Sequence, residues 1–117
     1  MSSLEMYRFK DLASAEAKAN QLTEETGEQH IAYKSTYLFD PFIAVRLPQI
    51  GDEVSMGFNG DYYPRGTITR ISKTYSKITT SVGTVFSRVG PNSWKQGGKK
   101  GAFSLVHGHR DERNPHF

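Results

Sequence analysis

The sequence predicts a mainly-β protein, in which a small antiparallel barrel follows an N-terminal α/β extension that contains one helix. Three observations lead to this fold class. Apolar residues recur at about every second position between residues 51 and 89, which is the period of a half-buried strand. Gly, Asn and Pro interrupt that pattern at short intervals and mark tight turns. A single helical pattern precedes the barrel, at residues 11–26.

The barrel is predicted to span residues 51–109. Asn59-Gly60-Asp61 forms its first hairpin turn, because Asn and Gly tolerate the positive φ that such turns require. Residues 102–107 supply a closing strand, and closure removes the exposed edges of the sheet. The inward-facing residues are predicted to be Val54, Met56, Phe58, Ile68, Ile71, Ile78, Val82, Val85, Phe86 and Val89.

Aromatic residues of the barrel are candidates for ligand contacts. Tyr62 and Tyr63 follow the hairpin turn and precede Pro64 and Gly66, so they are predicted to lie on a protruding loop. Trp94 is the only tryptophan of the chain. Two interpretations of it stay open, a plug at one end of the barrel and a ring that stacks on a ligand.

The N-terminal extension is predicted to span residues 1–50. Asp11 is placed to cap its helix, Gly27 to end it, and an alanine-rich stripe to face a sheet. That stripe consists of Leu12, Ala15, Ala19 and Leu22. The other predicted elements are a short strand at residues 4–9, strands at about residues 29–35 and 42–47, and a polar C-terminal tail at residues 110–117.

Composition narrows the class of protein. At 117 residues the chain is long enough to bury a core without covalent cross-links, and it contains no cysteine. Disulfides and thiolate zinc sites are therefore excluded, which favours a reducing compartment. No apolar run resembles a signal peptide or reaches the ~18 residues of a membrane span. We expect a cytoplasmic protein that does not bind membranes.

Positive charge is concentrated in the second half of the chain. Residues 1–50 carry five Lys or Arg and seven Asp or Glu, whereas residues 51–117 carry ten and five. No acidic residue occurs from Tyr62 to Arg110. Such a run favours nucleic acid or an acidic protein surface as the partner, and an ordinary solvated surface is the alternative. The candidate binding residues are Phe58, Tyr62, Tyr63, Arg65, Arg70, Lys73, Lys77, Arg88, Lys95, Lys99 and Lys100.

Two segments carry a family resemblance. GDEVSMGFNGDYYPRGTITRIS, residues 51–72, and ITTSVGTVFSRV, residues 78–89, resemble SH3-like barrels of the Tudor and KOW type. The resemblance implies an SH3-like fold and a binding role, because such barrels bind RNA, DNA, methylated side chains and proteins. The helical N-terminal segment and the ending GHRDERNPHF are also similar to short proteins of tailed bacteriophages. That similarity implies a phage-encoded protein.

The Tudor resemblance does not extend to a complete aromatic cage. A cage for a methylated cation needs three or four converging rings. Phe58 and either Tyr62 or Tyr63 match two cage positions, but residues 79–83 contain no aromatic residue. We therefore do not expect recognition of methyl-lysine or methyl-arginine.

Histidines near the C-terminus form the one constellation that resembles catalytic chemistry. His107, His109 and Asp111 have the His-x-His-x-Asp spacing of metallo-β-lactamase-type hydrolases, and His116 lies nearby. Glu112 stands where that motif has its next histidine, and the chain is too short for that fold. No phosphate-binding loop or nucleophile motif is present. We expect no enzyme activity, no metal site and no cofactor.

The sequence thus supports a small non-enzymatic binding protein. The first hypothesis is that it binds nucleic acid through a basic and aromatic barrel face. The alternative is a protein-interaction module that modulates a host protein or forms part of a virion. The feature that separates these hypotheses is whether the basic side chains share one face with Tyr62 and Tyr63.

Overall fold

A computed structural model of the protein describes residues 5–113. The chain divides into two compact units, Met1–Leu47 and Pro48–Phe117. Leu4 of the predicted first strand and residues 114–117 of the predicted tail lie outside the described part. The elements are β1 (Tyr7–Phe9), α1 (Leu12–Thr26), β2 (His30–Lys34), β3 (Phe42–Arg46), β4 (Glu53–Phe58), β5 (Asp61–Ile71), β6 (Lys77–Thr80), β7 (Val85–Gly90), β8 (Ser93–Gln96), a short 3-10 helix (Gly98–Lys100) and β9 (Ser104–His107).

The predicted fold class is confirmed. The second unit contains a closed antiparallel barrel in the order β4-β5-β6-β7-β8-β9, and the first unit contains a three-stranded sheet in the order β1-β3-β2. Within residues 5–113, α1 is the one α-helix. The barrel is compatible in strand number and closure with an SH3-like fold.

Helix α1 begins and ends where its capping residues predict. The Asp11 side chain accepts a hydrogen bond of 2.7 Å from the Ser14 amide, and Gly27 takes the left-handed φ of 74° that ends many helices. The backbone hydrogen bond from Ser14 lowers the pKa of Asp11 below its usual value, because it favours the charged carboxylate that caps the helix. Ala15 and Ala19 are buried as predicted, but Leu12 is exposed.

Strand β3 departs from the alternation that the sequence predicts. It lies between β1 and β2, with Ala44 opposite both Tyr7 and Ala32. Ile43 and Val45 are buried as expected, and Ala44 and Arg46 on the opposite face are buried too. Central strands that are covered on both faces lose the period-two pattern, because neither face then selects polar residues.

The core of the barrel consists of inward-facing apolar side chains from five strands. Val54, Ile68, Ile78, Phe86 and Trp94 are all buried there. The prediction was wrong for Phe58, Val82 and Val85, which are 52%, 61% and 42% exposed.

Thr80 and the register of β6 with β7 explain the errors at Val82 and Val85. Thr80 takes the second inward position of β6, is buried, and its hydroxyl accepts a hydrogen bond from the Thr84 amide across the turn. Val82 therefore falls beyond the end of the strand, in the turn. Val85 pairs with outward-facing Thr79, because Phe86 next to it fills the core.

The tyrosines that were predicted on a loop belong to a strand. Asn59 and Gly60 form the two-residue hairpin turn as predicted, with φ of 53° and 85°. Strand β5 begins immediately after that turn, so Tyr62 pairs with Gly57 and Tyr63 with Met56. Alternation along β5 directs the two rings to opposite sides of the sheet.

Candidate functional site

Strand register brings two of the predicted lysines into one outward row. Lys77 lies opposite Ser87, Ser87 opposite Lys95, and Lys95 opposite Ser104. Opposite residues of an antiparallel pair point to the same side, and Ile78 and Phe86, their neighbours in sequence, fill the core. The Lys77 Nζ atom donates a hydrogen bond of 2.5 Å to the Ser87 hydroxyl. The row therefore presents ammonium and hydroxyl groups side by side on the outside of the barrel.

Arg70 extends this surface onto β5. It lies opposite Thr79, while the next residue, Ile71, pairs with the core residue Ile78. Arg70 therefore points outward on the same side as Lys77. We call Arg70, Lys77 and Lys95, with Thr79 and Ser87 between them and Ser104 beyond Lys95, the basic face.

Three further predicted lysines lie in connections beside the basic face. Lys73 is exposed in the turn between β5 and β6, four residues before Lys77. Lys99 and Lys100 are exposed in the 3-10 helix, which packs beside β7 and β8. These lysines add positive charge at the edges of the basic face.

Arg88 does not belong to the basic face. It alternates with Ser87 and points to the same side of β7 as Phe86, where it pairs with Trp94. Its guanidinium carbon lies 5.3 Å from the Trp94 ring centroid, and its Nη2 atom donates a hydrogen bond of 2.5 Å to the Pro91 carbonyl. Arg88 therefore supports the fold around the tryptophan.

The predicted aromatic residues separate into two groups. Phe58 and Tyr63 both meet Phe103 edge-on, with ring centroids 6.0 Å and 5.9 Å apart. Arg65 lies at 5.9 Å and Arg113 at 3.9 Å from the Tyr63 centroid. Phe103 and Arg113 were not among the predicted site residues.

Tyr62 lies on the outer side of the barrel. Its ring covers Gly57, where an added β-carbon would come within 2.7 Å of the ring. Gly57 also pairs with Ser104, so the row that begins at Lys77 continues across β9 and β4 to Tyr62. The Arg110 guanidinium stacks on this ring with its carbon 3.7 Å from the centroid. Tyr62 thus points outward as the basic face does, but it lies three strands from Lys95 around the closed barrel, whereas Tyr63 points to the other side of β5.

Residues 108–113 form a segment that is bound to the barrel by backbone hydrogen bonds. The Tyr62 amide donates to the Glu112 carbonyl at 2.7 Å, and the Glu112 amide donates back at 3.3 Å. The buried hydroxyl of Ser55 donates to the Gly108 carbonyl and accepts from the Arg110 amide, at 2.7 Å and 2.8 Å. We call residues 108–113 the C-terminal segment.

Two carboxylates of the barrel unit form ion pairs with arginines inside the C-terminal segment. Arg110 pairs with Glu112 and Arg113 with Asp111 inside the C-terminal segment, at 2.5 Å and 2.7 Å. The hydrogen bond to Glu112 is the main reason that the pKa of Arg110 is raised. Within residues 5–113, none of the cations of the basic face or its flanking lysines forms an ion pair with a carboxylate. Strands β6, β7 and β8 contain no acidic residue at all.

His107 and His109 form contacts within the barrel unit. His107 Nε2 lies 3.0 Å from Asp52 Oδ2, and His109 Nε2 lies 2.8 Å from the Gly66 carbonyl oxygen. His116 is outside the described residues. In the part of the chain that the structure describes, no group of three or more His, Asp or Glu side chains could hold a metal ion.

Comparison with protein-family models, with curated proteins and with solved structures gives no match to this chain. None of the helices in the described residues has the length and apolar character needed to cross a membrane.

Proposed function

We propose that this protein is a small non-enzymatic binding protein that holds nucleic acid against the basic face of its barrel. One observation carries the proposal. Arg70, Lys77 and Lys95 point outward from β5, β6 and β8, and no carboxylate of the described chain pairs with them. Cations that lack a protein counter-ion attract the phosphate backbone, and binding releases the condensed counter-ions of the nucleic acid.

The side chains between the cations fit the same ligand. Ser87, Ser104 and Thr79 place hydroxyl groups next to the lysines and the arginine, and hydroxyl groups often donate hydrogen bonds to phosphate oxygens. Contacts of this kind carry no sequence information. We therefore propose that binding is largely independent of base sequence.

The family resemblance is consistent with this function. Small SH3-like barrels of the Tudor and KOW type include nucleic-acid binders, and the resemblance to phage proteins would place this protein in the cytoplasm of a bacterial host. Both points remain proposals.

Salt dependence tests the nucleic-acid proposal. Binding of a labelled single strand, and of the duplex of the same sequence, should weaken steeply with salt in fluorescence anisotropy. Replacing Lys77 and Lys95 by Ala should reduce the logarithmic slope by up to two phosphate contacts, at roughly 0.7–0.9 per contact.

Lys34→Ala is the matched control for this experiment. Lys34 is an exposed lysine of β2 in the first unit, so its removal changes the net charge without touching the basic face. Its slope should equal that of the unchanged protein. Equal slopes for Lys34→Ala and the double variant would show that the basic face does not contact phosphates.

A protein-binding function is the second candidate, and one feature of the first unit favours it. Leu38 and Phe39, in the connection between β2 and β3, are 92% and 84% exposed. A hydrogen bond of 2.8 Å from the Ser35 amide to the Pro41 carbonyl closes the connection at its base. Two adjacent apolar side chains that are mostly exposed can insert into an apolar pocket on another protein.

A pull-down from bacterial lysate separates the two functions. If the loop binds a protein, the double variant Leu38→Ser/Phe39→Ser should capture roughly tenfold less of that protein. Nuclease treatment should not change the amount captured. Val82→Ser, at an exposed valine of the barrel, is the control. If nuclease treatment abolishes the capture of a protein and the loop variant still captures it, the second candidate is contradicted.

A further inference from the structure

The C-terminal segment holds two arginines and two carboxylates in an interleaved arrangement. Each guanidinium binds the carboxylate two residues away, Arg110 to Glu112 and Arg113 to Asp111. All four side chains are substantially exposed, from 44% for Arg110 to 70% for Asp111. A solvent-borne anion therefore has access to both guanidinium groups.

The arginines are positioned by more than these carboxylates. Arg110 and Arg113 stack on the rings of Tyr62 and Tyr63 at 3.7 Å and 3.9 Å. Arg113 also donates a hydrogen bond of 2.6 Å to the Tyr62 carbonyl. Because backbone hydrogen bonds attach Glu112 to Tyr62, the segment stays on the barrel even when a carboxylate releases its arginine.

The segment also lies on the outside of the barrel. Tyr62 belongs to the outward row that contains Ser104 and Lys95, three strands from Lys95 around the closed barrel, so a strand of nucleic acid that follows this row around the barrel reaches Arg110. Guanidinium groups bind carboxylates and phosphates with the same planar fork of N–H donors. A phosphate can therefore take the place of each carboxylate without a change in the arginine.

We propose that Arg110 is an additional ligand of the nucleic-acid backbone, which Glu112 keeps paired until a phosphate replaces this carboxylate. The inference rests on the proposed function of the basic face and adds that a carboxylate of the chain itself weakens binding. Glu112 lowers the affinity and hides one phosphate contact from the salt dependence of the protein.

The variant Glu112→Gln tests the inference at Arg110. It removes the charge, keeps the shape and leaves the backbone hydrogen bonds to Tyr62 in place. Affinity for a labelled single-stranded oligonucleotide should rise roughly fivefold at low salt, and the logarithmic salt slope should steepen by about 0.7–0.9. Asp111→Asn should change neither quantity, because Arg113 stacks on Tyr63, on the other side of β5.

Two further variants exclude simpler explanations. Glu24→Gln, on the exposed side of α1, makes the same change in net charge and should leave affinity and slope as they are. Arg110→Ala combined with Glu112→Gln should cancel the gain of Glu112→Gln, because that gain depends on the released guanidinium. Melting temperatures of all variants show whether the carboxylates serve stability instead.

The outcomes separate this inference from the proposed function. In one outcome, the unchanged protein binds with the expected salt dependence while Glu112→Gln shows no higher affinity than Glu24→Gln. This result overturns the inference and leaves the basic face intact as the binding site. A lower melting temperature without a gain in binding also overturns it. If neither the unchanged protein nor Glu112→Gln binds the oligonucleotide at low salt, the proposed function fails. An equal gain in binding of polyglutamate would show a general anion surface and would also overturn the inference.

Discussion

Phe86→Ala should lower the free energy of unfolding by about 3–5 kcal/mol, one of the two largest effects that we expect from a single substitution in the barrel. Phe86 is completely buried and lies opposite Ile78, so the truncated side chain leaves a cavity between rigid strands. Urea denaturation followed by circular dichroism measures the loss. The midpoint should fall while the dependence on urea stays the same.

Val85→Ala is the control, since it truncates the neighbouring residue on the outer side of the same strand. Val85 is partly exposed, and surface truncations of this kind usually change stability by less than about 0.5 kcal/mol. A large loss at Val85, or equal losses at both positions, would show that β7 faces the core with its other side.

Trp94→Ala should also lower the free energy of unfolding by about 3–5 kcal/mol. The indole is 3% exposed, and its N–H group donates a hydrogen bond of 2.7 Å to the Tyr75 carbonyl. These contacts make Trp94 a core residue. Circular dichroism is the suitable probe, because the variant lacks the only tryptophan fluorophore of the chain.

Trp94→Phe separates packing from the hydrogen bond. It keeps an aromatic ring in the core and should cost less, about 1–3 kcal/mol, because it mainly leaves the Tyr75 carbonyl without its donor. A ligand-stacking tryptophan would behave in the opposite way. Both substitutions would then leave stability almost unchanged and reduce oligonucleotide binding.

Local signals account for most of the fold that could be predicted from the sequence. Asp11 and Gly27 mark the ends of α1, and Asn59-Gly60 marks the first hairpin, because each residue acts on its own backbone or on its near neighbours. Errors arose where a polar residue took an inward position. Thr80 fills the core position that the pattern assigned to a valine, and apolar periodicity alone does not reveal this.

The candidate site was predictable in composition but not in arrangement. The acid-free run identified the cations, yet only strand register separates outward Lys77 and Lys95 from inward Arg88. Phe103 and Arg113 were missed because their partners are about 40 to 50 residues away in sequence. The interleaved order of Arg110-Asp111-Glu112-Arg113 was the available signal, since it places opposite charges two residues apart.

Closure of the barrel also determines when the chain can fold. Strand β4 pairs with β9, which follows it by about fifty residues, and Val54 lies opposite His107. During synthesis, the seam between the first and last strands can form only after His107 has left the ribosome, and until then β4 and β8 each have an open edge. Pairing over such a sequence distance is slow, because loop closure costs entropy before the contacts form. The nascent barrel therefore passes through a period in which its edges are open to pairing with other chains.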